Sequence, residues 1–281
     1  MNASGTSAGL GLLAAASWGG SDFVGGLGSR RAPAMLVVAS GHIVTFLILV
    51  GVCLGAHLPL PSHHDLLFAV IGGFEGSVAL AIFYRALAMG AMGLTAALTG
   101  LLTALVPVMF SFFSEGPPKL MTVGGLLSGL VAIWMITHTP GRDGPATPPA
   151  ALLLGALAGT GFGIQLILFK MASGGGLVWT MTSARAAGSL AMILVILARP
   201  PERPWKGFWK LGVLAGLLDT TGNLFYIRAT QLGRLDVAAV VCSLYPAGTI
   251  LLAALVLREL PSKRQMAGMA LALCAVMLLS S

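Results

Sequence analysis

Hydrophobic positions along this chain do not alternate with polar ones; they run on. Mostly apolar runs of roughly 18–24 residues recur about ten times, each long enough, as an α-helix rising 1.5 Å per residue, to cross a hydrocarbon layer ~30 Å thick. They cover residues 7–27, 33–55, 65–88, 92–113, 119–138, 150–171, 176–198, 208–231, 235–257 and 263–280. Short breakers such as "SRRAP", "SEGPPK", "ASGGG" and "RELPSK" separate them, rich in the residues that end helices and turn chains. The pattern predicts ten helices with tight connections. The longest connection, residues 139–149, divides the chain almost in half.

Composition changes the solvent. Of the 281 residues 57% are hydrophobic and 9% charged, where a soluble domain carries about a quarter. The mean hydropathy is +0.93. These values predict an all-α membrane protein with the lipid bilayer as its surroundings. A net charge of +7 raises nucleic acid as a partner, but the basic residues sit in short loops without interleaved aromatics, so none is expected. Cys53, Cys242 and Cys274 lie in apolar runs and form neither a disulfide framework nor a metal cluster. No cofactor or metal is expected. The opening "MNASGTSAGLGLLAAASWGG" lacks a basic leading segment and reads as the first helix rather than a cleaved signal.

The halves resemble each other. Glu115/Glu259, Pro117/Pro261, Lys119/Lys263 and Gly124/Gly268 are each 144 apart, as are Gly72/Gly216, while Arg85/Arg228, Gly90/Gly233 and Ala96/Ala239 are 143 apart. Two copies of an odd, five-helix unit in one chain must cross the membrane in opposite senses, the inverted-repeat plan of secondary transporters. The expected organisation is a first repeat over 1–138, a linker over 139–149 and a second repeat over 150–281. Gly155, Gly159 and Gly163 recur every fourth residue, as do Gly11, Ala15 and Gly19. Such stripes bring helices close together in lipid, and packing is the role expected for them.

Thirteen of the sixteen Lys and Arg fall in loops or at helix ends. Arg85 and Arg228 are within snorkelling reach of an interface. Arg185 is deep, and so are the acids Asp22, Glu75 and Asp219. Repeat spacing pairs Asp22 with Gln165 and His42 with Arg185 at 143, and Glu75 with Asp219 at 144. One polar position per helix pair, at similar depth, predicts a central site for a small-molecule substrate. Arg185 offers a fork of donors suited to a carboxylate. The acids can carry protons in a low-dielectric cavity, and His42 titrates near neutrality. The predicted site is Asp22, His42, Glu75, Gln165, Arg185, Asp219 and Asn223, with Trp18, Tyr245 and Pro246 as wall or gate. A static Arg185–Asp219 pair that only fixes helix register is the competing reading, and His42 has a structural alternative in a backbone hydrogen bond. Trp205 and Trp209 flank a basic loop and read as interface anchors. No Walker loop, Ser-His-Asp order or HExxH motif occurs, so neither ATP-driven transport nor bond chemistry is expected.

"SWGGSDFVGGLGSRRAP", "YRALAMG" and "VVCSLYPAGTILLAALVLRELPSKRQMAGMALALCAVMLL" resemble the EamA-type branch of the drug/metabolite transporter superfamily. The likeness spans about residues 8–280. It implies two inverted five-helix repeats in a bacterial inner membrane, moving small metabolites such as amino acids without ATP, through a cavity lined mainly by helices 1, 3, 4, 6, 8 and 9. A lipid or headgroup flippase of the same superfamily is the nearest alternative, and an intramembrane lipid-modifying enzyme a more distant one. The family's usual turn after helix 4 carries an arginine that "SEGPPK" lacks. The family expectation places both termini in the cytoplasm. Here loops 1–2, 5–6, 7–8 and 9–10 hold ten Lys or Arg and the alternate loops only Lys119, Lys170 and Arg234, which by the positive-inside rule places both termini outside.

Overall fold

The computed structural model describes residues 3–89, 92–137, 148–201, 206–256 and 262–279. Among them the chain is helical throughout: α1 (Ala3–Ser29), α2 (Ala34–Gly55), α3 (His63–Ala88), α4 (Met92–Ser114), α5 (Leu120–Thr137), α6 (Pro149–Met171), α7 (Leu177–Ala198), α8 (Phe208–Leu232), α9 (Leu235–Cys242), α10 (Tyr245–Val256) and α11 (Lys263–Leu279). Every apolar run falls on helix, with ends within a few residues of those expected. Gly90, the linker residues 139–147 with Arg142, and Arg203, Trp205, Arg258, Glu259 and Pro261 lie outside the described residues.

The ninth run is split. α9 closes with Ser243 N–H donating to Ala239 O at 3.0 Å, Leu244 N–H turns back to Val241 O, and α10 starts at Tyr245. Pro246 therefore sits in the first turn of a new helix, where its missing N–H leaves nothing unpaired. Pro107, by contrast, lies inside an unbroken α4. Elsewhere turn chemistry ends the helices as their sequences demand. Gly176 adopts φ 83° just before α7, and Gly116 φ 76° between α4 and α5, both conformations natural to glycine. Ser62 caps α3 by accepting from Asp65 N–H at 3.1 Å.

The bundle is apolar outside and polar within. Leu47, Leu153, Leu197 and Leu255 are each more than half exposed, while His42, Ser77, Arg185, Asn223 and Asp236 are buried. A water-solvated protein has the reverse preference for its charged groups. Four helices, Ala34–Gly55, His63–Leu87, Pro149–Met171 and Leu177–Ala198, are long and apolar enough to cross a membrane on those grounds alone.

Helices of the two halves interleave. α1 packs on α8, as α3 does on α6; α2 packs on α8, as α3 does on α7; α4 packs on α6, as α1 does on α9 and α10; α2 meets α7 and α5 meets α11. Small residues set these approaches. A Cβ added to Gly41 would come within 2.6 Å of Gly212 O and 2.8 Å of Gly216 Cα, so α2 and α8 touch backbone to backbone. Gly73 meets the Ala184 backbone of α7 in the same way. Both glycine stripes serve packing. Gly159 and Gly163 face Thr99, Leu102 and Val106 of α4, while Gly11 and Gly19 face Val241 of α9 and Tyr245 and Gly248 at the start of α10.

The contacts of α3 and α8 follow a spacing of 143 rather than 144. Gly73 and Gly216 make corresponding contacts, with Ala184 and Gly41 respectively, and both pairs differ by 143. By these contacts Gly216 matches Gly73 rather than Gly72, and the same spacing sets Asp219 against Gly76 rather than Glu75.

Candidate functional site

Arg185 lies on α7 with 4% of its side chain exposed. Its Nη2 donates to Asp219 Oδ2 of α8, forming an ion pair, and its Nη1 lies 2.6 Å from His42 Nε2 of α2. Arginine has no acceptor, so His42 must accept at Nε2 and carry its proton on Nδ1. That nitrogen faces Ser77 Oγ at 3.1 Å, and Ser77 Oγ donates to Gly73 O at 2.6 Å. The result is one continuous donor chain, Arg185 to His42 to Ser77 to a backbone carbonyl, in which His42 is neutral. Such a chain satisfies groups that would be costly if left unpaired in a dry interior.

This chain borders a cavity of about 40 Å³, room for no more than a few water molecules. α1 contributes Trp18 and Asp22, α6 contributes Phe162, Gln165 and Leu166, and α8 contributes Asp219 and Asn223. His42, Thr103, Arg185 and Tyr245 complete its polar lining, and Gly76 and Leu80 supply the wall from α3. A smaller hollow of about 10 Å³ adjoins it between Ser21, Tyr84 and Ala215. Trp18 anchors an aromatic group beside the cavity, its ring centroid 6.0 Å from Tyr226 and 6.5 Å from Tyr245. Tyr226 donates to Leu166 O at 2.7 Å and so ties α8 to α6.

Eight of the ten residues singled out in the sequence line this cavity. Pro246 does not; it faces α4 at Gly100. Glu75 does not either. It lies against α6, close to where a Cβ on Gly161 would sit, with Oε2 buried and unpartnered. Gln165 donates to Gly72 O at 3.2 Å, and Asn223 Nδ2 to Asp219 O at 2.8 Å. Asn223 Oδ1, Trp18 Nε1 and the Tyr245 hydroxyl are buried without a hydrogen-bond partner. α2 and α7 contribute to the lining alongside the helices that the family resemblance implied.

Sequence reasoning missed Ser77, Thr103, Phe162 and Leu80. Ser77 carried a usable signal, since it stands one turn after Gly73 on the face that meets α7. The apolar residues carried none, because a cavity wall and a core are made of the same side chains.

A second polar cluster closes the end of the bundle where α4, α6 and α8 finish and α9 begins. The Glu115 carboxylate accepts from Leu235 N–H at 3.0 Å and from Ser111 Oγ at 2.9 Å, with Lys170 Nζ at 3.7 Å. It thus satisfies an orphan N–H at the start of α9 with a side chain from the other half of the chain. Arg234 donates to Gly116 O at 2.9 Å and pairs with the buried Asp236, also at 2.9 Å. Hydrogen bonding to Asp236, aided by the charges of Asp236 and Glu115, holds the Arg234 guanidinium above its usual pKa.

Helices with a lipid-like exterior and charge gathered inside make this an integral, multi-pass membrane protein. Residues 149–281 match the model of the EamA-like transporter family, which belongs to the drug/metabolite transporter superfamily. No curated protein matches its sequence. Twenty-nine solved chains match its fold. One, described only as the crystal structure of a protein, superposes with a TM-score of 0.75 at 19% identity, covering 99% of this chain and 96% of that one. At that identity the likeness speaks for the fold alone.

Proposed function

We propose that the protein is a secondary transporter, moving a small metabolite such as an amino acid or related compound across the bacterial inner membrane by alternating access. In this reading ten membrane spans form two inverted five-helix repeats, residues 1–138 and 150–281, joined by the linker 139–149. The family match over 149–281 supports that division. So do the paired contacts of α1 on α8 and α3 on α6. The observation that carries the proposal is the hydrogen bond between His42 and Arg185. They are 143 residues apart, the same spacing that relates the glycine contacts of α3 and α8. In this reading equivalent residues that touch lie near the axis relating the two halves, and both of these residues line the polar cavity. A site there can be opened to either side by rocking one half against the other.

Asp22 lines this cavity with no ion-pair partner among the described residues, while Asp219 is held by Arg185, so Asp22 is the group free to hold a charged substrate. Intramembrane carboxyls are expensive to maintain and by default functional. A headgroup flippase fits less well, because Arg185, the one arginine among the described lining residues, already binds Asp219 and His42.

The test is uptake by the purified protein in liposomes, offered a radiolabelled mixture of amino acids and their decarboxylated amines under a pH gradient. Asp22→Asn is expected to cut uptake at least about tenfold, the effect of ~1.4 kcal/mol at the site. Glu75→Gln, outside the cavity, is expected to retain it. Uptake no greater than in protein-free liposomes would contradict the transporter reading, and full uptake by Asp22→Asn would contradict the site.

A further inference from the structure

The charges around the cavity do not cancel. Arg185 is shared between Asp219 and His42, so its charge is matched by one carboxylate and both of its terminal nitrogens are occupied. The donor chain through Ser77 leaves His42 neutral. Lys170 and Arg234 are tied to Glu115 and Asp236 at the end of the bundle. Asp22 remains. It lines the cavity and has no hydrogen bond or ion pair among the described residues. An ionised carboxylate in such a place needs a cation, and none of the described residues pairs with it.

The neighbouring groups agree with Asp22. Asn223 Oδ1 is a buried acceptor without a donor. Trp18 stands one helical turn before Asp22, and Tyr245 meets its ring edge-on at 6.5 Å; aromatic faces attract cations and repel anions. The unpartnered Trp18 N–H and Tyr245 hydroxyl are neutral donors that suit a hydroxyl or water. A substrate carboxylate would find only the Arg185 Nε–H unpartnered, on a guanidinium whose charge Asp219 already matches, and would share the same small space with Asp22.

We infer that the ligand of this cavity is an amine: a small organic cation whose ammonium group pairs with Asp22 and donates to Asn223 Oδ1, its apolar body lying against Trp18 and Tyr245. Zwitterions and carboxylates bind less well. This rests on the cavity being the transport site and names the chemistry of what it carries. The cavity as described has room for only a few waters, so it widens to admit the amine as the halves part.

The experiment is thermal unfolding of the purified full-length protein with three matched ligand sets. Each set keeps one body and changes its charge: butylamine, norvaline and butyrate; phenethylamine, phenylalanine and phenylacetate; tryptamine, tryptophan and indole-3-acetate. In at least one set the amine is expected to raise the midpoint by roughly 2–4 °C at several times its Kd, beyond either partner. Asp22→Asn abolishes that rise, and Asp22→Glu, which keeps the charge, retains it. The midpoints of both variants without ligand report their folding. If a zwitterion or carboxylate raises the midpoint as much as its amine, or Asp22→Asn keeps the rise, the amine assignment is overturned while the cavity stands as a binding site. If no set moves the wild-type midpoint, the cavity as a binding site is overturned as well.

Discussion

Asp219→Ala is expected to cost about 3–5 kcal/mol of stability, because it strands the Arg185 guanidinium, 4% exposed, without its carboxylate. The loss is read as a lower unfolding midpoint in detergent and a smaller yield of folded protein. The penalty belongs to the uncompensated charge, not to the pair. Replacing both partners, as Arg185→Met with Asp219→Leu, removes the charge along with its need for a partner and is expected to recover most of the midpoint. Transport separates the two readings of the pair. If Arg185 and Asp219 only fix helix register, the double variant carries substrate as well as the parent. If they shape the cavity, it folds and carries none. Uptake per folded molecule in liposomes decides the matter.

Gly216→Val is the second large effect. A Cβ at this position would lie on the Gly41 backbone of α2, and backbone cannot rotate aside as a side chain can. Overpacking a well-filled core costs typically 1–3 kcal/mol, and a branched side chain between two backbones belongs at or above the upper end. The helices must part along the α2–α8 contact, which lies next to the cavity through Asp219. The variant is therefore expected to lose folded protein, whereas Gly26→Val, with no atom near its Cβ position, is not. Comparable midpoints for the two would show that α2 and α8 are not in backbone contact.

The helices were legible because lipid imposes a strong rule on sequence. Backbone groups must bond within their own helix, so each crossing is a long apolar run bounded by breakers. Asp22, His42, Arg185 and Asp219 stood out for the same reason, as charge is conspicuous in such a run. Glu75 shows where this reasoning stops. Alignment by 144 set it opposite Asp219, yet the glycine contacts of α3 and α8 follow 143. One residue on a helix is a rotation of about 100°, enough to carry a side chain off the cavity face and onto α6. Spacing alone cannot resolve a single residue among so many interchangeable glycines and alanines. Pro246 marked a break correctly but not its form: the helix restarts at Tyr245 rather than bending, so the proline is absorbed in a first turn. Ser77 escaped notice because an isolated serine in a membrane helix ordinarily bonds its own backbone, and Ser77 does this too, donating to Gly73 O while accepting from His42.

The central claim is that residues from both halves enclose one polar cavity that opens to each side of the membrane in turn. Leu80→Cys, placed on the cavity wall in a protein with Cys274→Ser, tests it most directly, since Cys53 and Cys242 are buried and Cys274 exposed. The measurement is modification by a membrane-impermeant thiol reagent added to one face of sealed vesicles, then to the other. Labelling from each face separately is the predicted result. Labelling from one face only, or from neither, would contradict it.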